Sequence, residues 1–258
     1  MSRIEKTFRR LKKERKKAFI PYIMAGDPSL DVTKEIVLLF EECGADIVEL
    51  GVPFSDPMAD GPTIQRASER ALKNGVTLKK VISQVEDIRQ TTQIPIVLMT
   101  YYNPIFKYGI ENFIRDSAAA GVDGVIIPDL PPDEAGDFIN LSKSTALDTI
   151  FLLAPTSTDE RVKKVTKASS GFVYYVSITG ITGSALLLDG SMETLISNIR
   201  KYTNKPIAVG FGVSAPDEAS AVARLSDGVI VGSAIVKRLH DSPDELKSYL
   251  MSIREAIK

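Results

Sequence analysis

Glu49 and Asp60 are the residues of this chain whose type and placement point most directly to chemistry. Glu49 follows the apolar run Asp46-Ile47-Val48 at the expected end of a strand, and Asp60 lies in the loop that completes ELGVPFSDPMADGPT, Glu49 to Thr63. Pro53, Pro57 and Pro62 fix φ along that loop and remove backbone donors, so it is shaped rather than floppy. A carboxylate buried without a partner is costly, and carboxyl groups with displaced pKa values gather at functional sites. The two therefore read as an acid/base pair, with desolvation expected to raise the pKa of Glu49. Asp60 has a second reading, because Asp60-Gly61-Pro62 precedes a helix-like run and suits a helix N-cap.

Glycines cluster after three later apolar runs. Gly210-Phe211-Gly212 and Gly232-Ser233 follow the last two, and Thr179-Gly180-Ile181-Thr182-Gly183-Ser184 follows the one before. Glycine lets backbone N–H groups approach an anion closely, and the start of a helix adds a favourable dipole. Ser233 adds a hydroxyl, and neither of the last two loops contains a lysine. The third cluster is long enough for a lid with glycine hinges. Together the loops predict a small phosphorylated ligand. A nicotinamide site is disfavoured, because no GxGxxG follows an early strand.

These residues need a scaffold. β-rich runs are expected near 19–24, 46–50, 94–99, 124–127, 149–153, 172–176, 206–209 and 228–231. Amphipathic helices are expected at 31–43, 64–73, 111–120, 133–144, 158–168, 192–202 and 216–224. Continuous apolar runs such as Val125-Ile126-Ile127 suit strands buried on both faces of a parallel sheet. Eight βα units predict a (β/α)8 TIM barrel, with an open doubly wound sheet as the alternative. Two helices are extra to that plan, one N-terminal at 2–17 and one inserted after the second strand at 77–90. A terminal helix is expected at 243–257. No linker divides the chain, so a single domain, 1–258, is expected.

Composition narrows the function classes. A net charge of −1 gives no global field toward nucleic acid or an anionic membrane. The seven basic residues between Arg9 and Lys17 read as a solvated helix face. No apolar run reaches the ~18 residues of a spanning helix, and the basic start does not read as a signal peptide. The single cysteine, Cys43, suits packing in a reducing cytosol, so a cytoplasmic setting is expected. The single histidine, His240, excludes a multi-histidine metal site and makes a Ser-His-Asp triad a poor reading.

With these motifs assembled, the chain resembles the tryptophan synthase α-subunit family over nearly its whole length. The most specific segments are ELGVPFSDPMADGPTIQ from Glu49, MTYYNPI from Met99 to Ile105, PDLP from Pro128 to Pro131, and Gly180 to Gly183 with GFGVS and VGSAIV. The resemblance implies a (β/α)8 barrel that cleaves indole-3-glycerol phosphate to indole and glyceraldehyde 3-phosphate. It assigns the proton transfers at indole C3 and at the glycerol hydroxyl to Glu49, and the indole N–H to Asp60. It places Tyr174 near the substrate, as an aid to proton transfer; the two-residue alternation of a strand puts Tyr175 on the opposite face. It aligns Thr182 with a lid threonine that meets the aspartate. Gly183, Gly212, Gly232 and Ser233 match phosphate-contacting positions, and Tyr22 and Phe211 positions around the indole.

Ile178 stands where enteric-bacterial members carry a lid arginine, and Tyr22 where they often have phenylalanine. No cofactor is implied in this chain. The family implies a pyridoxal-phosphate-dependent β subunit in an αββα assembly, with Pro53, Phe54, Asp56, Pro57 and Tyr102-Asn103-Pro104 on the docking face.

Rival readings remain at this point. A metal-using epimerase needs histidines this chain lacks, and an indole-glycerol-phosphate synthase needs a barrel-mouth lysine with no obvious candidate at the strand ends. A binding subunit without catalysis is opposed by the intact carboxylate pair, and a free-standing indole-producing lyase is left to a turnover assay.

Overall fold

The computed structural model describes residues 1–176, 190–210 and 212–257. Nine strand segments run parallel in one sheet: β1 (Ala18–Met24), β2 (Val48–Gly51), β3 (Ile96–Met99), β4 (Gly124–Ile126), β5 (Asp148–Ile150), β6 (Leu152–Leu153), β7 (Val173–Val176), β8 (Ile207–Gly210) and β9 (Gly228–Val231). Their order is β5-β4-β3-β2-β1-β9-β8-β7-β6. The two ends of that order, β5 and β6, are separated in the chain by Phe151 alone. β5 pairs with β4 and β6 with β7, while the Phe151 carbonyl accepts the Tyr174 N–H at 3.2 Å. They are therefore two halves of one strand, and the sheet closes as an eight-stranded barrel. The open-sheet alternative is excluded.

Side-chain alternation sorts the core into two layers. Ala18, Ile20, Ile47, Val97, Ile126, Ile150, Phe172, Tyr174, Ala208 and Ile230 fill the barrel interior, whereas Phe19, Leu50, Leu98, Tyr175 and Val209 face the surrounding helices. Tyr174 and Tyr175 thus part to opposite faces, as the alternation predicts.

The extra N-terminal helix, α1 (Arg3–Glu14), closes the bottom of the barrel. Ser2 and Glu5 form a capping box at its start, and Ile4, Phe8 and Leu11 lie on one face, at helical spacing. Those three pack into the interior cluster, with the Phe8 and Phe172 rings 5.8 Å apart. Burying each contributes about 2 kcal/mol. The basic residues Arg9, Lys12, Lys13, Arg15 and Lys16 stay exposed, the solvated face that the sequence predicts. Arg10 is drawn down to Asp46 at 2.8 Å.

The helix α2 (Leu30–Glu42) precedes β2, and between β2 and β3 stand two helices, α3 (Pro62–Lys73) and the inserted α4 (Leu78–Ile88). A further helix, Tyr102–Tyr108, was not anticipated. Pro104 argues against a helix in sequence, but it sits in the first turn, where a missing N–H breaks no intrahelical bond.

Candidate active site

At the C-terminal ends of the strands the interior opens into a cavity of about 330 Å³, lined by Tyr22, Glu49, Asp60, Met99, Tyr174 and the loops after β8 and β9. Larger hollows of about 560 and 660 Å³ lie elsewhere on the surface. The carboxylate in the first of these, Asp148, accepts the Ser2 hydroxyl at 2.6 Å, so it is already satisfied by the protein itself.

Glu49 is on β2 opposite Tyr22 of β1 and Val97 of β3, so its side chain points inward with Val97. It is 1% exposed, and neither carboxyl oxygen has a hydrogen-bond partner among the described residues. Burial, followed by the charge of Asp60, pushes its pKa up to about 8. Asp60 is less enclosed. Desolvation raises it to about 6, while a hydrogen bond from Tyr101 holds it back. The Tyr101 hydroxyl also accepts the Ala59 N–H at 2.9 Å and so ties the β2 loop to the end of β3. Tyr101 was not picked out from sequence, although it belongs to the MTYYNPI run. Its role depends on a through-space approach to Asp60 that spacing does not reveal.

The helix-cap reading of Asp60 fails. The N-cap of α3 is Gly61, with Pro62 following and no side-chain cap bond. The Asp60 carbonyl takes the Gln65 amide at 2.8 Å, which leaves its carboxyl facing the cavity.

Tyr22 and Tyr174 are buried against this pair, and burial with the nearby carboxylates drives both phenols well above their ordinary pKa. Both stay protonated, as donors. Two glycines make room for them. A Cβ on Gly51 would lie 2.1 Å from the Tyr22 hydroxyl, and one on Gly210 would lie 2.3 Å from that of Tyr174. Any side chain at either position would displace a ring from the cavity wall.

Between Tyr22 on β1 and Tyr174 on β7, Gly212, Val213 and Ser214 follow β8, and Gly232, Ser233 and Ala234 follow β9. Gly232 is the N-cap of the helix Ser233–Asp241, whose first N–H groups have no intrahelical acceptor and suit an anion. Glu218, unremarked in sequence, shapes the neighbouring loop: one of its oxygens accepts the N–H of Ser214 at 2.7 Å, its hydroxyl at 3.0 Å and the N–H of Ala215 at 3.1 Å. Lys237, also unremarked, lines the same wall. Thr182, Gly183, Phe211 and Ile178 lie outside the described residues. Glu49, Asp60, Tyr174, Tyr22, Gly212, Gly232 and Ser233 are brought to one cavity.

A closed parallel barrel with two unlike carboxyl groups at its C-terminal mouth defines the class: a (β/α)8 enzyme working by proton transfer. Comparison with known proteins narrows it. The family profile of the tryptophan synthase alpha chain matches residues 8–258. The alpha chain of Geotalea daltonii is 50% identical over 259 residues, covering 100% of this chain and 98% of that protein. That of Geobacter sulfurreducens is 51% identical over 262 residues, covering 100% and 99%. Among solved structures, the alpha subunit from Legionella pneumophila superposes with a TM-score of 0.92 at 38% identity, covering 100% of this chain and 98% of its own. A chain of Mycobacterium tuberculosis tryptophan synthase does so with 0.93 at 38%, covering 99% and 98%. This chain belongs to the tryptophan synthase alpha chain family. It is a lyase of tryptophan biosynthesis, and its reaction is the retro-aldol cleavage of indole-3-glycerol phosphate to indole and glyceraldehyde 3-phosphate.

Proposed function

We propose that Glu49 and Asp60 divide the proton transfers of that cleavage between them. The observation that carries this division is their unlike surroundings in one cavity: Glu49 is buried without a partner among the described residues, whereas Asp60 is less enclosed and bonded by Tyr101. Near pH 7, Glu49 with a pKa of about 8 is mostly protonated, and Asp60 at about 6 is mostly ionised. Glu49 can then give a proton to indole C3 while Asp60 accepts the indole N–H and balances positive charge developing on the ring. The glycerol hydroxyl beside the scissile bond next returns a proton to the Glu49 carboxylate. Its oxygen forms the aldehyde carbonyl as the C–C bond breaks, and the bonding electrons restore the aromatic indole. Glu49 ends protonated again, so no other co-reactant is needed. Tyr22 and Tyr174 flank the ring as donors, and the Gly212, Gly232 and Ser233 wall takes the phosphate.

The same reading makes a pyridoxal-phosphate-dependent β subunit the recipient of indole, in an αββα assembly. Family membership supports it, as do apolar groups exposed just beyond β2 and β3: Met58 is 92% and Phe106 65% exposed, beside the Pro53–Pro57 loop and the Tyr102–Tyr108 helix. A cytoplasmic setting fits a free, buried Cys43. The test is indole release from indole-3-glycerol phosphate by the purified chain, with and without a β subunit. Stimulation by β supports both lyase and docking surface. High activity that β does not change would replace the docking reading with a free-standing lyase, and no activity in either arm would overturn the assignment of roles.

A further inference from the structure

The cavity has an electrostatic problem that its glycine wall does not solve. Glu49, Asp60 and Lys237 are the only acidic or basic side chains among the described residues that line it. A phosphate ester brings −1.5 to −2 further charge at pH 7, roughly, into a pocket that already holds two carboxyl groups. Gly212, Gly232 and Ser233 offer N–H dipoles and a hydroxyl, but no full charge.

Lys237 is four residues after Ser233 on the helix Ser233–Asp241, hence on the same face and one turn above the N-terminus. Two neighbouring cations are committed elsewhere. Arg70 grips Asp27 with two bonds of 2.7 Å, and Arg238 stacks on the Tyr249 ring at 3.8 Å from its centroid. Lys237 takes part in no salt bridge among the described residues, although Asp241 stands four residues further on.

We propose that Lys237 is the counter-charge for the substrate's phosphate, and that it makes this pocket prefer a phosphorylated ester over its dephosphorylated counterpart. The identity of the ester rests on the function proposed above; the anion preference rests on the pocket. Lys237 is exposed, so replacing it removes charge without opening the core.

The experiment compares the wild-type chain with Lys237→Gln and Lys237→Arg. It measures inorganic phosphate binding by calorimetry, then KM and kcat for indole-3-glycerol phosphate at several salt concentrations. Lys237→Gln should weaken phosphate binding about tenfold and raise KM by a similar factor, with a smaller change in kcat, the pattern for a contact made equally in ground and transition states. Its kcat/KM should also lose part of its salt dependence. Lys237→Arg should recover most of the affinity. For indole-3-glycerol without its phosphate, Lys237→Gln and wild type should not differ.

Phosphate affinity, KM and salt slope all within twofold of wild type would overturn the proposal. If the wild-type chain binds phosphate through Lys237 yet does not cleave indole-3-glycerol phosphate, the anion site stands and the assigned function falls. Normal cleavage with phosphate binding indifferent to Lys237 has the opposite meaning.

Discussion

The two ends of the barrel treat buried carboxyl groups in opposite ways. At the bottom, three aspartates just before strand starts, Asp46, Asp123 and the half-buried Asp227, are each held by two or more donors, whereas Asp148 takes the Ser2 hydroxyl and is raised by burial. Asp46 takes the Phe19 N–H at 3.1 Å, Arg10 at 2.8 Å and Arg254 at 3.2 Å. Asp123 takes the Ile96 N–H at 2.9 Å, Arg89 at 2.6 Å and Arg3 at 2.9 Å. Asp227 takes the Ile207 N–H at 2.8 Å and pairs with Arg200. Each of the three therefore ties an N–H at the start of the neighbouring strand to a helix arginine. At the top, Glu49 is buried more deeply than any of the three and has no such partner among the described residues. Full hydrogen bonding stabilises an ionised carboxylate, whereas burial alone favours the proton. The bottom ring thus holds the barrel closed, and the top pair keeps a proton available for chemistry.

The largest effect that tests this contrast is at Glu49. Glu49→Gln should lower kcat by about 10²–10⁴-fold and leave the protein as stable as wild type or more so. The sign of the stability change follows from linkage. The folded pKa, about 8, lies above the ordinary value of 4.5, so the protonated form is favoured in the native state. That contribution is complete below pH 4.5 and is lost as pH rises toward 8. The advantage of Glu49→Gln in urea unfolding should therefore grow between those limits and vanish in acid. A Glu49→Gln protein less stable than wild type at pH 8 would contradict an unpartnered carboxyl.

Asp123→Ala should behave in reverse. It strands the Arg89 guanidinium, only 8% exposed, and should cost about 3–5 kcal/mol of stability, with kcat changed little under conditions where the protein is folded. A large kcat loss in a folded Asp123→Ala protein would break the division of labour between the two ends.

A smaller effect concerns the pH profile. If Asp60 must be ionised and Glu49 protonated, kcat/KM should rise through about pH 6 and fall through about pH 8. Tyr101→Phe removes the hydrogen bond that lowers Asp60, so the acid limb should move upward while the basic limb stays. A shift of the basic limb alone would place Tyr101 with the wrong carboxyl group.

The smallest effect is at the plug helix. Ser2→Ala removes the cap of α1 and the hydroxyl held by Asp148, and should cost about 1 kcal/mol with no change in KM.

Much of this was legible in the sequence, and the reasons differ by element. All eight strands were expected within two residues of their observed ends, because parallel strands buried on both faces leave continuous apolar runs. The Glu49 loop was legible because prolines and a carboxylate after an apolar run are an expensive combination. The bottom ring was not read, although Asp123 and Asp227 both precede Gly-Val-Ile. That repeat was available as a signal, but the arginines that complete the ring come from distant helices. Tyr101, Glu218 and Lys237 were missed for the same reason: each acts through a loop or helix turn that folding brings to it. The spacing of Lys237 from Ser233 offered a clue only after Ser233 was known to begin a helix.

The most direct test of unlike carboxyl groups is a ¹³C-carboxyl NMR titration of the ligand-free protein, with Glu49→Gln and Asp60→Asn used to assign the two signals. One carboxyl, lost in Glu49→Gln, should titrate near pH 8, and another, lost in Asp60→Asn, near pH 6. Both titrating in the ordinary range near pH 4 would contradict the account, because Glu49 would then hold no proton to deliver to indole C3 at neutral pH.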